Sequence, residues 1–256
     1  MGKIISIVNQ KGGVGKTTTA VNLVAGMGLQ GKKVLLVDAD PQGNSTSGYG
    51  IDKRDVIFSS YDLLIGAQKA ETAIRPTTFK NVDLIPANIN LAGAEVELIS
   101  IEKRESQLKR ALSLIRDNYD YIFIDCPPSL GLITINALTA SDTIIVPVQC
   151  EYYAMEGLSQ LMASVRQIKR LYNPELEIEG VVLTMFDGRL NLTQQVVEEI
   201  KKFFSNRLYE TRIPRGVRLS EAPSYGMPIQ YYDKRSKGAK AYDELAKEVI
   251  KRNKRS

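Results

Sequence analysis

Short apolar runs alternate with stretches of helical period along the whole of this 256-residue chain. Residues 3–8, 33–37, 82–85, 121–125, 143–148, 178–185 and 208–213 read as strands, because apolar and β-branched residues fill consecutive positions between turn signals. Helical stretches lie between them. Thr18 to Ala25 continues as a helix, and in 239–250 Tyr242, Leu245, Ala246 and Val249 make one apolar stripe. The alternation predicts an α/β fold in which a mostly parallel, doubly wound, twisted sheet is flanked by helices on both faces. At this length the whole of 1–256 can form a single domain around a substantial core. Residues 51–80, with Asp52-Lys53-Arg54-Asp55 and Arg75-Pro76-Thr77-Thr78, are the most polar and least periodic part of the first half. They read as a surface excursion, either a passive insertion or part of a partner face.

The turn after the first strand carries the most specific chemistry. Residues 11–18 read KGGVGKTT. Gly12, Gly13 and Gly15 leave no Cβ in the way, so consecutive backbone N–H groups from Gly12 through Thr18, Val14 included, can wrap a phosphate at the start of a helix. Lys16 supplies a point charge and Thr17 a hydroxyl ligand for Mg²⁺. The general phosphate-loop pattern asks for glycine at position 10, where this chain has Gln10. Lys11 adds a second charge, so the match is to a variant form of the P-loop.

Two further strands end in aspartates. Lys33 to Val37 runs into Asp38-Ala39-Asp40-Pro41-Gln42-Gly43-Asn44, and Tyr121 to Ile124 into Asp125-Cys126-Pro127-Pro128. Ligands of open parallel sheets sit beyond the carboxyl ends of the strands, so Asp38, Asp40 and Asp125 are expected to converge on the same phosphates. Asp125 and Asp38 join Thr17 as candidate Mg²⁺ partners. Asp40, on a Pro/Gly-rich segment, suits orienting or deprotonating an attacking water. The competing reading makes each aspartate a cap of the next helix.

Together, KGGVGKTT, VLLVDADPQGN, YIFIDCPPS and IPRGVRLSEAPS resemble the ParA family of DNA-partitioning ATPases, specifically its short Soj-type members, over essentially the whole chain. The first motif alone would say only deviant Walker A ATPase, a superfamily that includes MinD and the nitrogenase iron protein. The resemblance implies a P-loop NTPase domain that uses ATP and Mg²⁺. Lys11 would reach the ATP of a partner subunit in an ATP-bound homodimer, Lys16 would contact the phosphates, and Asp40 would support hydrolysis. It also places adenine between the segment ending at Thr184 and Asp187 and the one holding Pro214 and Arg215. The guanine-reading N-K-x-D sequence is absent from Thr184-Met185-Phe186-Asp187. Thr184 could equally be a strand-end hydroxyl bonded to backbone. Slow hydrolysis, accelerated by a ParB-type partner, would reopen the dimer.

Charge separates the chain into two parts. Residues 201–256 hold 15 Lys and Arg against 6 Asp and Glu, whereas the preceding 200 residues are net acidic. A basic C-terminal region serves either solubility or a polyanion. The positives recur at Arg189, Arg215, Arg218, Lys234, Arg235, Lys237 and in the run Lys251-Arg252-Asn253-Lys254-Arg255. In the resembled family, arginines matching Arg189 and Arg218 are associated with non-specific double-stranded DNA, which implies a cytoplasmic, nucleoid-associated protein. Phosphate contacts without base readout are expected, since no helix-turn-helix extension precedes the first strand. A MinD-like membrane-associated ATPase is the alternative. It is disfavoured because the stripe through Tyr242 reads as core-packing and KRNKRS offers nothing to insert in a bilayer. No membrane span or signal peptide is visible. Met1-Gly2 fits an acylation pattern, but Gly2 leads straight into a core strand. Cys126 and Cys150 read as buried thiols, with a shared metal cluster as the sharper alternative.

Overall fold

The computed structural model describes residues 1–151 and 153–254; Arg255 of the terminal basic run lies outside the described residues. Eight strands form one sheet: β1 (Lys3–Ile7), β2 (Val34–Asp38), β3 (Arg75–Pro76), β4 (Val82–Ile85), β5 (Tyr121–Asp125), β6 (Thr143–Gln149), β7 (Glu177–Phe186) and β8 (Leu208–Pro214). Their order is β3-β4-β2-β5-β1-β6-β7-β8. Every pairing is parallel except β3 with β4. The chain turns outward in both directions from β1, and the crevice at such a switch point is where ligands bind in open parallel sheets.

Among the described residues twelve α-helices flank the sheet: α1 (Lys16–Leu29), α2 (Asn44–Gly48), α3 (Ser60–Leu64), α4 (Ala70–Ala73), α5 (Leu91–Glu97), α6 (Gln107–Ser113), α7 (Leu132–Ala140), α8 (Ala154–Leu171), α9 (Asn191–Phe204), α10 (Val217–Glu221), α11 (Ile229–Tyr232) and α12 (Lys237–Asn253). They bury two cores, one on each face of the sheet. Along β1 the side chains alternate between them: Ile4 faces Leu63, Leu91, Ile133 and Leu161, while Ile5 and Ile7 face Leu23, Met27, Tyr209 and Tyr242. Both faces are covered, which is why the strands read as continuous apolar runs.

Residues 51–80 are more than a surface excursion. Leu63, Leu64, Ala70 and Ala73 enter one core and Phe79 the other. Helices of four and five residues are too short to display a period, and only the Ser59/Asp62 capping box signals one of them. Arg75 and Pro76 form an antiparallel edge, where proline is tolerated because no ladder N–H is needed on the outer side.

α12 packs along α1, and the stripe expected from its period is buried as Tyr242, Leu245, Ala246 and Val249. Gly26 permits the close approach, since a Cβ there would lie 3.1 Å from that of Ala246. α12 runs from the carboxyl edge of the sheet, where Tyr242 Oη meets Thr19 Oγ1 at 3.2 Å, to the amino edge, where Asn253 donates to Glu179 at 2.8 Å. At that amino edge Gly2 is enclosed: a Cβ on it would fall 2.3 Å from the Tyr119 carbonyl oxygen.

Candidate nucleotide site

The loop between β1 and α1 is held from three sides. Gly13 and Gly15 take left-handed φ of 75° and 86°, a region open to glycine at no steric cost. Thr184 Oγ1, at the end of β7, donates to the Val14 carbonyl at 2.8 Å. Asn9 bridges in the same way: its amide donates to Pro147 O at 2.7 Å and its oxygen accepts from Lys11 N at 3.0 Å. The backbone reading of the Thr184 hydroxyl is therefore the one the structure adopts. Asn9 carries no sequence signal beyond its place at a strand end. Positions 12 and 13 face open space, with nothing within 4 Å of a notional Cβ.

The two lysines of the loop have opposite surroundings. Lys16 is 7% exposed and curls back so that Nζ donates to the Lys11 carbonyl at 3.0 Å. Burial pulls its pKa down, and Asp125, Cys126 and Asp40 oppose that shift. Lys11 is 37% exposed and ion-pairs at 2.5 Å with Glu151 beyond β6. Lys11 thus does not cover its own loop.

The three aspartates sit together at the carboxyl ends of β2 and β5, with Asp38 and Asp125 in register. Burial, then repulsion by Asp38, raises the pKa of Asp125, against the hydroxyls of Ser45 and Thr17. Asp38 is raised for the same first reason. Ser45 donates to Asp125 Oδ2 at 2.8 Å, whereas Asp125 Oδ1, fully buried, has no partner among the described residues. A bare carboxylate oxygen beside Thr17 fits an Mg²⁺ ion that takes one or two protein oxygens and fills its sphere with water and phosphate. No group of three His, Cys, Asp or Glu side chains forms a protein-only metal cage among the described residues; Cys126 is buried with its thiol pushed up to about 12.

Asp38, expected as a direct metal partner, is engaged elsewhere. Its Oδ2 accepts from Thr46 N at 2.8 Å and Thr46 Oγ1 at 2.7 Å, and its Oδ1 from Asp40 N at 3.2 Å. The carboxylate fixes α2, and α2 in turn presents Ser45 to Asp125. Asp40 is buried in the same turn and accepts from Gln42 N at 2.9 Å. Ser45 and Thr46 were not distinguishable in sequence, since a five-residue helix shows no face.

Next to the loop lies a cavity of about 520 Å³ lined by Gly15, Thr18, Thr184, Met185, Pro214, Arg215 and Tyr242. The volume suits a nucleoside. Met185 at its mouth adopts φ 48°, unusual for an unbranched non-glycine residue and typical of ligand clamps. Asp187, expected beside the base, is not among these lining residues; both of its oxygens accept from Arg189, at 2.9 and 2.7 Å. That pairing lowers Asp187 to about 2.

A family model described as an AAA domain matches residues 2–178. The sequence is 62% identical to the sporulation initiation inhibitor protein Soj of Bacillus subtilis, over 97% of this chain and 98% of that protein. It is 49% identical to the chromosome partitioning protein ParA of Myxococcus xanthus, over 99% of this chain and 89% of the relative. The chain belongs to the ParA/Soj family. Among solved structures, the cobyrinic acid a,c-diamide synthase of Mycobacterium smegmatis with bound ADP and magnesium matches with a TM-score of 0.85 at 37% identity, covering 99% of this chain and 96% of the other. As a ParA/Soj member the chain is a P-loop ATPase whose ligands are ATP and Mg²⁺.

The basic residues expected on one ParA/Soj surface divide into two groups. Arg189 follows β7 and Arg218 lies in α10 after β8, with Lys234, Arg235 and Lys237 at the head of α12, all toward the carboxyl edge. Both arginines are ion-paired, Arg189 with Asp187 at 2.7 Å and Arg218 with Glu221 at 2.9 Å. Lys251 and Lys254 lie at the far end of α12. Arg252 is structural: it stacks 4.2 Å from the Tyr209 ring and pairs with Glu248 at 2.7 Å. No helix among the described residues is long and apolar enough to cross a membrane.

Proposed function

We propose that this chain is a chromosome- or plasmid-segregation ATPase that works as an ATP-dependent dimerising switch, binding duplex DNA without sequence preference and releasing it on hydrolysis. Lys11 is the observation that carries the reading. Its ammonium leaves its own loop and stands half-exposed on Glu151, while Gly12 and Gly13 beside it present open backbone; a second copy facing this loop would bring Lys11 to the other's phosphates. The ParA/Soj relatives support the direction of the reading, and on their pattern the partner that speeds turnover is a ParB-type DNA-binding protein, with the ATP-bound dimer held at the nucleoid.

Mg²⁺, when bound, would supply positive charge that offsets that of the phosphates. The remaining work falls to the chain. Backbone N–H groups of residues 12–18 cradle the phosphates and Lys16 balances their charge from a site with little water. Thr17 and Asp125 hold the cation, with Ser45 orienting Asp125. Asp40, fixed by the turn that Asp38 braces, positions the attacking water. The cavity between Thr184 and Pro214/Arg215 takes adenine and keeps the nucleotide in register. Two closed subunits double the phosphate contacts available from Arg189, Arg218, Lys234, Arg235 and Lys237, which ties DNA affinity to the nucleotide state through avidity.

Light scattering on the eluting protein tests the core of this reading. Mg-ATP should convert monomer to dimer and bring on DNA binding, and Lys11→Ala should remain monomeric while still binding nucleotide. An ATP-bound Lys11→Ala dimer would remove Lys11 from the switch.

A further inference from the structure

The exposed side of α12 carries a single file of cations. Lys237, Lys240, Lys247, Lys251 and Lys254 recur with Glu244 at steps of three and four residues, so all six lie on one side of the helix, and all six are exposed. The other side is fully used: Ala241, Tyr242, Leu245, Ala246, Val249 and Ile250 are buried. A helix of 17 residues makes this row about 25 Å long. At its foot a hollow of about 400 Å³ is lined by Gln30, Lys32, Lys247, Lys251 and Lys254.

Acids of α12 itself answer these charges in part: Asp243 attracts Lys247, and Glu244 lies four residues from Lys240 and three from Lys247. Among the described residues Lys240, Lys247, Lys251 and Lys254 form no ion pair and no side-chain hydrogen bond. Some other surface cations are matched locally: on α9, Lys201 pairs with Glu198 at 3.1 Å and Lys202 with Glu199, and Arg189 and Arg218 have their own carboxylates. The acids of α12 other than Glu244 turn toward the protein. Asp243 accepts from Gln230 at 3.2 Å, and Glu248 accepts from Glu210 N at 2.9 Å and pairs with Arg252. Like charges three and four residues apart repel on a helix. Glu244 offsets only part of the row, and the positive charge that remains is one that packing does not require and that an external polyanion can neutralise.

A straight row of this length spans about seven base pairs along the axis of a duplex at ~3.4 Å per step. A lipid surface fits less well, because an interfacial helix needs its apolar side exposed, and here that side lies under α1. We infer that duplex DNA runs along α12 from the carboxyl edge of the sheet to its amino edge, with Lys240, Lys247, Lys251 and Lys254 on its phosphates. The inference rests on the proposed DNA-binding function and extends its contact surface well beyond Arg189 and Arg218.

Fluorescence anisotropy with a short duplex of random sequence, in the presence of a non-hydrolysed ATP analogue and Mg²⁺, tests it. The quadruple variant Lys240→Gln, Lys247→Gln, Lys251→Gln, Lys254→Gln keeps helix-forming side chains, with nucleotide binding as the check on folding. Its slope of log affinity against log salt should be shallower by roughly 3–4, about 0.9 for each phosphate that is no longer neutralised, and its affinity at low salt should fall more than about tenfold. Glu244→Gln should tighten DNA binding by roughly two- to fivefold, a gain that misfolding cannot imitate. A quadruple variant with the wild-type slope and affinity overturns the α12 surface and leaves the DNA-binding function standing. Wild-type protein that ignores the duplex in every nucleotide state overturns that function itself. Capture by phosphatidylserine vesicles but not by DNA, abolished in the quadruple variant, assigns the row to a membrane and overturns the inference.

Discussion

Lys11 Nζ lies 2.5 Å from Glu151 Oε2, joining the phosphate loop to the segment after β6 within one subunit. An ammonium engaged in this way has to leave its carboxylate before it can serve a second subunit. The pair is 37% and 45% exposed, so its contribution is that of a solvent-screened ion pair, about 0.2–1 kcal/mol. Glu151→Gln is therefore expected to lower the ATP concentration at half-maximal dimerisation by up to roughly fivefold. Sedimentation across an ATP titration measures it, and an increase in that midpoint would show that Glu151 serves the dimer instead of restraining it.

The facing carboxylates give the nucleotide-free protein a distinctive response to pH. Burial raises Asp38 and Asp125 above the ordinary carboxylate value, helped by repulsion from Asp40 at Asp38 and from Asp38 at Asp125. The folded state then holds protons that the unfolded chain has already released, so stability declines as pH rises from about 4 toward neutrality. Asp125→Asn removes the repulsion and keeps an acceptor for Ser45. Its melting temperature without ligand should exceed wild type at neutral pH, by an amount worth on the order of 1–3 kcal/mol, with the gap closing at acid pH. Mg-ATP should reverse the order at neutral pH, and chelation by EDTA should restore it. Equal melting curves at all pH values would count against a repelling pair.

Lys16 and Asp40 should separate binding from turnover. Lys16→Ala removes a charge-assisted contact from a water-poor loop and is expected to weaken ATP binding by roughly 10- to 150-fold, as read by calorimetry. Asp40→Ala should retain ATP-driven dimerisation while phosphate release falls to background. Full turnover in Asp40→Ala would transfer the water-positioning role to another group.

Backbone packing makes a prediction at a distance from the nucleotide. Gly50 and Gly226, both at left-handed φ, are so close that a Cβ on Gly226 would sit 2.5 Å from Gly50 Cα. This close approach seats the turn Ala222–Tyr225, which follows Arg218, on the segment that follows α2. Gly226→Ala is expected to cost about 1–3 kcal/mol from strain and overpacking, visible as a lower denaturant midpoint with an unchanged slope.

What the sequence discloses depends on how local the signal is. The phosphate loop, the strand-end aspartates and seven of the strands are legible because each is set by residues near one another in the chain. Arg75–Pro76 escapes notice, since two residues with a proline show no strand pattern. The partners that complete the site come from afar: Ser45 meets Asp125 and Glu151 meets Lys11 only after β2, β5, β6 and the phosphate loop have been brought side by side. Asp187 illustrates the converse. Its place at a strand end suggests the base, and Arg189 two residues on pairs with it. The lysine spacing of α12 is visible in the chain, but only the burial of the opposite side makes it a surface.

Because Tyr242, Leu245 and Val249 close over α1, the last helix is a wall of the second core as well as a carrier of charge. Deleting it would uncover Leu23 and Met27 and take Tyr242 from the rim of the nucleoside cavity. A chain shortened before Lys237 would then lose its fold and its nucleotide along with its basic row. The last helix's contribution to DNA can be isolated only by changing side chains one face at a time.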